Sequence, residues 1–157
     1  MRKEPNHTRI VADADVLAAD LLVGGQARAS LDHVRRHSWI DLVVTEPLLD
    51  DAEAVITELA DAELATDWRE RVETWVTVVD QPDGDHPALA AAYRSGAAHV
   101  LSMDGTLQSA RTGAELKTHM HVSVRSPDAF ARFFDPEAAY ELSFETPYPG
   151  SDRDPRA

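Results

Sequence analysis

The sequence predicts an α/β fold with three layers, α/β/α, around a central parallel sheet of four to five strands. Short apolar runs alternate along the chain with longer segments of helical periodicity, which is the pattern of strands joined by crossover helices. Glycine, proline and hydroxyl residues stand where the helical segments start and stop. A chain of 157 residues is long enough to bury a sizeable core as one domain. We therefore expect one sheet covered by helices on both faces.

The first strand defines the beginning of the predicted domain. Residues 1–8 read as a flexible leader, and they lack the apolar core of a signal peptide. The apolar run Ile10-Val11-Ala12 forms the strand and leads through Asp13 directly into a helical pattern. The pair Gly24-Gly25 is predicted to end that helix. A phosphate-binding loop is the less favoured interpretation of this pair, because the fuller glycine-rich motif is absent.

The remaining elements repeat this alternation. The clearest helix start follows the second strand, where Thr45 is a hydroxyl cap, Glu46 an acid in the first turn and Pro47 a typical first-turn residue. The predicted helices are residues 16–23, 27–37, 45–59, 62–74, 88–95 and 126–134. The predicted strands are residues 10–12, 40–45, 75–79, 99–102 and 120–124.

The end of the domain is less regular. Residues 105–117 read as irregular to helical, and residues 135–144 as one more helical turn or an edge strand. Residues 145–157 are rich in proline, glycine and charge and read as a disordered tail. The predicted domain therefore spans residues 9–144.

The composition indicates where the protein works. There is no cysteine, which excludes disulfides, thiolate metal sites and a cysteine nucleophile and fits a cytoplasmic chain. No apolar run approaches the length of a membrane span. We therefore expect a cytoplasmic protein without a membrane anchor.

The charge of the chain is strongly acidic. The formal net charge is -13, the acids are dispersed over the whole sequence, and only Lys3 and Lys117 are lysines. This composition is typical of halophilic archaeal proteins, because in molar salt the Debye length shrinks to about 3 Å and self-repulsion is screened. No basic footprint of a nucleic-acid binder is visible. A nucleic-acid substrate must then be held by divalent metal and local arginine.

Four acids are expected at one edge of the sheet. Asp13 and Asp104 follow the first and fourth strands, Asp51 lies early in the helix after the second strand, and Asp85 starts the helix after the third. Strand-to-helix junctions of a parallel sheet all lie on the same side, where such sheets bind ligands. Asp15, two residues beyond Asp13, adds a ligand or a supporting contact.

Two positions in this set have a structural alternative. Asp85 is well placed as a helix N-cap. Asp51 shares its side of the helix with the predicted apolar stripe, which leaves open an inward, coordinated carboxylate or a solvated one at the edge of the stripe. The stripe itself consists of Leu48, Ala52, Val55 and Leu59.

Several carboxylates close together require a cation. Mg²⁺ and Mn²⁺ take oxygen ligands and keep several waters. A divalent metal activates water and stabilises an in-line phosphoryl displacement. The acids therefore predict a Mg²⁺ or Mn²⁺ site with hydrolytic chemistry.

The same residues carry a resemblance to a known family. The motifs are DADVL at 13–17, TEPLLDD at 45–51, DHPAL at 85–89 and SMD at 102–104, with Leu107 following. In this order, over residues 9–134, the chain resembles the PIN-domain nucleases. The closest likeness lies in GDHPALAAAYRSGAAHVLSMDGTL.

The resemblance implies a function. Asp13, Asp51, Asp85 and Asp104 would hold Mg²⁺ or Mn²⁺, Thr45 and Ser102 would orient the acids, and the reaction would be hydrolysis of RNA phosphodiesters. The implied partners are an RNA substrate, an antitoxin-like protein if the chain is a toxin, and a second copy of the chain in a homodimer.

Two other functions remain open. The helix acid of the family is usually Glu and is Asp51 here, and the surface is acidic, so a PIN-like binding module without catalysis is an alternative. A phosphoacceptor receiver domain also has acids at the ends of parallel strands. Receivers carry a lysine after the fifth strand, however, and residues 122–126 read VSVRS.

Overall fold

A five-stranded, all-parallel sheet forms the centre of the protein. The computed structural model describes residues 6–83, 86–108 and 122–156, and within them the strands lie in the order β3-β2-β1-β4-β5. They are β1 (Asn6–Ala12), β2 (Asp41–Val44), β3 (Thr77–Val78), β4 (Ala97–Leu101) and β5 (Ser123–Arg125). The predicted three-layer α/β fold with a parallel sheet is confirmed.

Helices connect these strands and cover both faces of the sheet. They are α1 (Ala14–Leu22), α2 (Gly25–Arg35), α3 (Glu46–Leu59), α4 (Ala62–Val72), α5 (Pro87–Ser95), α6 (Gly105–Gln108), α7 (Pro127–Phe133) and α8 (Pro136–Ser143). Residues 136–143 thus form the helical alternative that the sequence left open. Within the residues described, none of the helices has the length and apolar character that crossing a membrane requires.

The central strand β1 packs against both helical layers. Ile10 and Ala12 belong to the core cluster formed with α1 to α4, α7 and α8, whereas Val11 belongs to the cluster formed with α5 and α6. All three side chains are fully buried. Burying an isoleucine or valine side chain contributes about 1.5–3 kcal/mol, so β1 and the junction that follows it are held from both sides.

The boundaries of several elements differ from the predicted ones. β1 begins at Asn6, so residues 6–8 are part of the sheet rather than a leader. β3 contains two residues instead of the predicted 75–79, because the amides of Trp75 and Val76 donate to the carbonyl of Val72 at the end of α4. The predicted helix end at the glycine pair is present, and Gly24 has a φ of +78° between α1 and α2. Residues 109–121, which include parts of two predicted elements, lie outside the described residues.

The C-terminal segment, residues 145–156, packs on the domain where the sequence predicted a disordered tail. The Tyr148 hydroxyl is hydrogen-bonded to Nε2 of the buried His37 at 2.6 Å. The backbone amide of Ser38 donates to Asp152 at 2.8 Å, and the guanidinium of Arg156 donates to both carboxylate oxygens of Asp32 at 2.9 and 2.7 Å. The segment therefore closes over the end of α2.

The buried His99 should make the fold acid-sensitive. Burial, together with the positive charges of Arg125 and His7, lowers the pKa of His99 to about 4, and its Nδ1 has no hydrogen-bond partner among the described residues. The unfolded chain therefore binds the proton more tightly, so the stabilisation is complete above pH 6.5 and is lost as the pH falls towards 4. A shift of this size corresponds to about 3 kcal/mol.

We expect His99→Leu to remove this part of the acid sensitivity. Urea unfolding across that pH range should give a smaller loss of unfolding free energy for the variant than for the wild type. His86→Leu, at an exposed histidine, is the control and should keep the wild-type slope. Equal slopes for His99→Leu and the wild type would contradict the prediction.

Candidate active site

The strand order creates a crevice at the carboxyl edge of the sheet. The chain runs outward in one direction from β1 to β2 and β3, and in the other direction from β4 to β5. The order therefore reverses between β1 and β4, and open α/β sheets bind ligands at such a switch point, beyond the carboxyl ends of the strands. Asp13 follows β1 directly, and Asp104 lies three residues after β4. Both acids are thus placed at the crevice.

Asp13 is held in place by the start of α1 and by β4. It is the N-cap of α1, and its Oδ1 accepts a hydrogen bond from the amide of Ala14 at 2.8 Å. Its own amide donates to the carbonyl of Leu101 at 2.9 Å, which continues the pairing of β1 with β4. The carboxylate therefore has little freedom to rotate away from the crevice.

Ser102 connects Asp13 with Asp104. Its hydroxyl donates to Oδ2 of Asp13 at 2.9 Å and accepts from the amide of Asp104 at 3.1 Å. The serine is fully buried, and its own amide donates to the carbonyl of Arg125 in β5 at 3.1 Å. Ser102 therefore joins the acid after β1 to the backbone of the acid after β4.

Asp104 opens a short helix and faces solvent. Its Oδ1 accepts from the amide of Thr106 at 2.9 Å at the start of α6, and the residue is exposed. Among the described residues, no hydrogen bond reaches the second carboxylate oxygen of Asp104, Oδ2, which is therefore available for a ligand.

Asp15 is the most perturbed acid of the site. Burial and the neighbouring carboxylate of Asp13 raise the pKa of Asp15, against hydrogen bonds from the amides of Met103 and Val16, and Asp104 raises it further. Its Oδ2 accepts from the amide of Met103 at 3.1 Å, whereas its Oδ1 is buried and has no partner within the described part of the chain. A buried carboxylate oxygen without a partner is costly and fits a missing cation or water.

Thr45 occupies the predicted N-cap of α3 but does not contact the acids above. Its buried hydroxyl accepts from the amide of Leu48 at 3.3 Å and donates to Oε1 of Gln81 at 2.6 Å. The amide group of Gln81 in turn donates to the carbonyls of Pro82 and Pro87 at 3.1 and 3.2 Å. Gln81 therefore connects the start of α5 at Pro87 to the end of β2, a role that no sequence signal indicated.

Asp51 lies on the solvent side of α3. It is exposed, and no hydrogen bond or ion pair joins it to Asp13, Asp15 or Asp104 in the described structure. The inward interpretation of Asp51 thus finds no support. The predicted stripe was rotated, because Leu59 is 71% exposed and Val55 only half-buried; the buried positions are Leu48, Leu49, Ala52 and Ile56.

The fourth predicted acid, Asp85, lies outside the described residues. The next residue, His86, is the N-cap of α5 without a side-chain capping bond. Among residues 6–83, 86–108 and 122–156, no three or more His, Asp or Glu side chains come together as a complete metal-binding group. The part of the site described here is therefore the neighbourhood of Asp13, Asp15 and Asp104.

This neighbourhood fits a hard divalent cation. All of its candidate ligand atoms are side-chain oxygens, which Mg²⁺ and Mn²⁺ prefer. The raised pKa of Asp15 reflects burial and uncompensated negative charge, and the unpartnered Oδ1 offers a free ligand atom. Asp13 and Asp104 would hold the ion, and Asp15 would contribute a ligand or balance its charge.

Comparison with known proteins places the chain in a family. It matches the family of unknown function DUF7384 over residues 4–156, which is nearly its whole length. The chain belongs to this family. No curated protein matches it. The DUF7384 match includes β1, β4 and the acids between them, so the crevice lies within the part of the chain that defines the family.

Proposed function

We propose that this protein is a Mg²⁺- or Mn²⁺-dependent ribonuclease of the PIN-domain type, which hydrolyses RNA phosphodiesters in the crevice between β1 and β4. The observation that carries the proposal is the hydroxyl of Ser102, which connects Asp13 and Asp104 at the switch point of the sheet. The buried, unpartnered oxygen of Asp15 beside them supports a cation at that point.

The residues of the crevice have separate tasks in the proposed reaction. Asp13 and Asp104 would hold the metal. The PIN resemblance also implies Asp51 and Asp85 as ligands, but Asp51 lies on the solvent side of α3, so Asp85 is the further ligand that we propose. A bound divalent ion supplies Lewis-acid stabilisation of the phosphate and lowers the pKa of water. Ser102 keeps Oδ2 of Asp13 in one orientation, and the Met103 amide does the same for Asp15.

The acidic surface imposes a condition on the substrate. A net charge of -13 repels a polyanion at low ionic strength. Molar salt reduces the screening distance to about 3 Å, so RNA reaches the crevice under halophilic conditions, and the metal provides the local positive charge. The proposal includes a cytoplasmic site of action and, for a toxin, an antitoxin-like partner; a homodimer is part of the same PIN resemblance.

The test is cleavage of end-labelled single-stranded RNA by the purified protein in molar KCl. We expect cleavage with Mn²⁺ or Mg²⁺, none in EDTA, and recovery when the metal is restored. Asp104→Asn should abolish cleavage and leave the fold intact, because Asn still accepts the capping bond from Thr106 but carries no charge. Circular dichroism of the variant checks the fold.

Three outcomes would overturn the assignment. Unchanged cleavage by Asp104→Asn would assign the activity to another site or a contaminant. Failure of Mn²⁺ to bind the wild type in a calorimetric titration, together with no cleavage, would favour a binding module that has lost catalysis. Incorporation of label from acetyl phosphate at a single aspartate would indicate a receiver domain.

A further inference from the structure

A second cavity lies at the edge of the sheet opposite the acids. Arg35 ends α2, Arg71 lies in the last turn of α4, and Trp75 lies between α4 and β3, so these residues are near the amino ends of β2 and β3. The C-terminal segment forms one wall of the space, which is open to solvent and has a volume of about 540 Å³. Its lining consists of Arg35, Arg71, Thr74, Trp75, Arg153, Asp154 and Pro155. Cavities of about 300–1,000 Å³ are typical of small-molecule sites.

Arg35 is a fixed part of the cavity wall. Its guanidinium donates to Asp20 at 2.8 Å and to Asp32 at 3.0 Å, and it lies over the ring of Trp75 at 5.1 Å from the centroid. The two carboxylates neutralise this arginine and hold it against the indole. Arg35 therefore positions Trp75, which is half-buried and forms a flat apolar surface of the cavity.

Two further arginines in the lining have no such partners. No carboxylate of the described residues lies within salt-bridge distance of Arg71 or Arg153, and both are exposed. The chain contains 28 aspartates and glutamates for 15 lysines and arginines, so carboxylates are abundant. Two unpaired guanidinium groups that line one cavity in such a chain form a local site for an anion.

We infer that this cavity binds a nucleoside monophosphate. Arg71 and Arg153 bind the phosphate, since planar guanidinium groups bind phosphate oxygens in bidentate fashion. The base packs on Trp75, because aromatic side chains stack on any base. Asp154, the one carboxylate among the described lining residues, accepts from the ribose hydroxyls. The volume exceeds what inorganic phosphate needs, and the indole gives a ring its contact surface.

The site depends on the C-terminal segment. Arg153, Asp154 and Pro155 belong to that segment, whose position is fixed by hydrogen bonds of Asp152 and Arg156 to the region of α2. A bound nucleotide would connect the segment to Arg71 on α4. Ligand binding is therefore expected to stabilise the closed position of the segment by mass action.

The experiment is a calorimetric titration of the full chain with AMP, CMP, GMP and UMP at low and molar KCl. We expect at least one mononucleotide to bind, and Arg71→Gln and Arg153→Gln each to weaken it by about tenfold or more. Trp75→Leu should weaken binding of the mononucleotide but leave binding of inorganic phosphate unchanged. Arg94→Gln is the matched control, because Arg94 is also an exposed arginine in the last turn of a helix but does not line the cavity.

The result that overturns the inference is no mononucleotide binding, or binding that Arg71→Gln and Arg153→Gln leave unchanged. Inorganic phosphate that binds as tightly as every mononucleotide would remove the role of Trp75. A short single-stranded RNA that binds where mononucleotides do not would make the cavity part of an RNA path instead. Asp104→Asn should bind the mononucleotide like the wild type, so this site and the proposed nuclease site can fail separately.

Discussion

Replacing Asp13 by asparagine is expected to lower metal-dependent RNA cleavage by about a thousandfold, as removal of a central electrostatic group from an active site does. Asparagine keeps the size of the side chain and still accepts the capping bond from Ala14. What it loses is the negative charge that Ser102 orients toward the crevice. The measurement is the single-turnover cleavage rate in molar KCl with saturating Mn²⁺.

Asp13→Asn should also change the effect of Mn²⁺ on the free energy of unfolding. Without metal, removing the Asp13 charge relieves the repulsion that raises the pKa of Asp15, so the free energy of unfolding in EDTA should stay equal or increase. The stabilisation by Mn²⁺ that we expect for the wild type should disappear. Asp61→Asn is the matched control, because Asp61 caps α4 through a bond from Leu64. A variant Asp13→Asn that keeps both cleavage and Mn²⁺ stabilisation would contradict the assignment of Asp13.

Removing residues 147–157 is expected to lower the free energy of unfolding by about 3 kcal/mol, the sum of a few part-buried hydrogen bonds and aromatic contacts. The truncation deprives His37 of its bond to Tyr148 and Asp32 of its bonds to Arg156. It also removes a ring contact between Tyr148 and Trp39, whose centroids are 6.5 Å apart. Urea unfolding at neutral pH measures the loss.

A point variant separates the contribution of one bond from that of the segment. Tyr148→Phe keeps the ring and loses only the hydroxyl, so it should cost about 1 kcal/mol. A truncated chain as stable as the full chain would mean that the segment does not pack on the domain in solution. The cavity at α2 and α4 would then lose one wall, and the inference that it binds a mononucleotide would be contradicted.

The parallel fold could be predicted because its signals are local. The Thr45 cap and Pro47 define the start of α3 within one turn, and the Gly24-Gly25 pair separates α1 from α2. The rotation of α3 about its axis was not predictable with the same precision. A helical stripe that includes Leu59 and one that includes Ile56 both satisfy the periodicity, and only packing against the sheet decides between them.

The candidate site was predictable in part for a similar reason. Asp13, Asp104 and Ser102 follow the carboxyl ends of strands, and in a parallel sheet these ends all lie at the same edge. Gln81 carried no signal, since its bond to Thr45 spans 36 residues. The packing of the C-terminal segment was likewise hidden, because the Arg156 to Asp32 contact spans 124 residues and the local composition resembles a disordered tail.

The pairing of β1 with β4 has a consequence for how the protein is made. Asp13 and Ser102 are 89 residues apart in the chain, so a ribosome synthesises the first acid long before the serine that orients it. The half-made chain contains β1, β2 and β3, with β1 as an open edge until β4 is available. The crevice is therefore absent from the nascent chain. The nuclease activity that we propose would therefore be absent during translation until the second half of the chain has emerged.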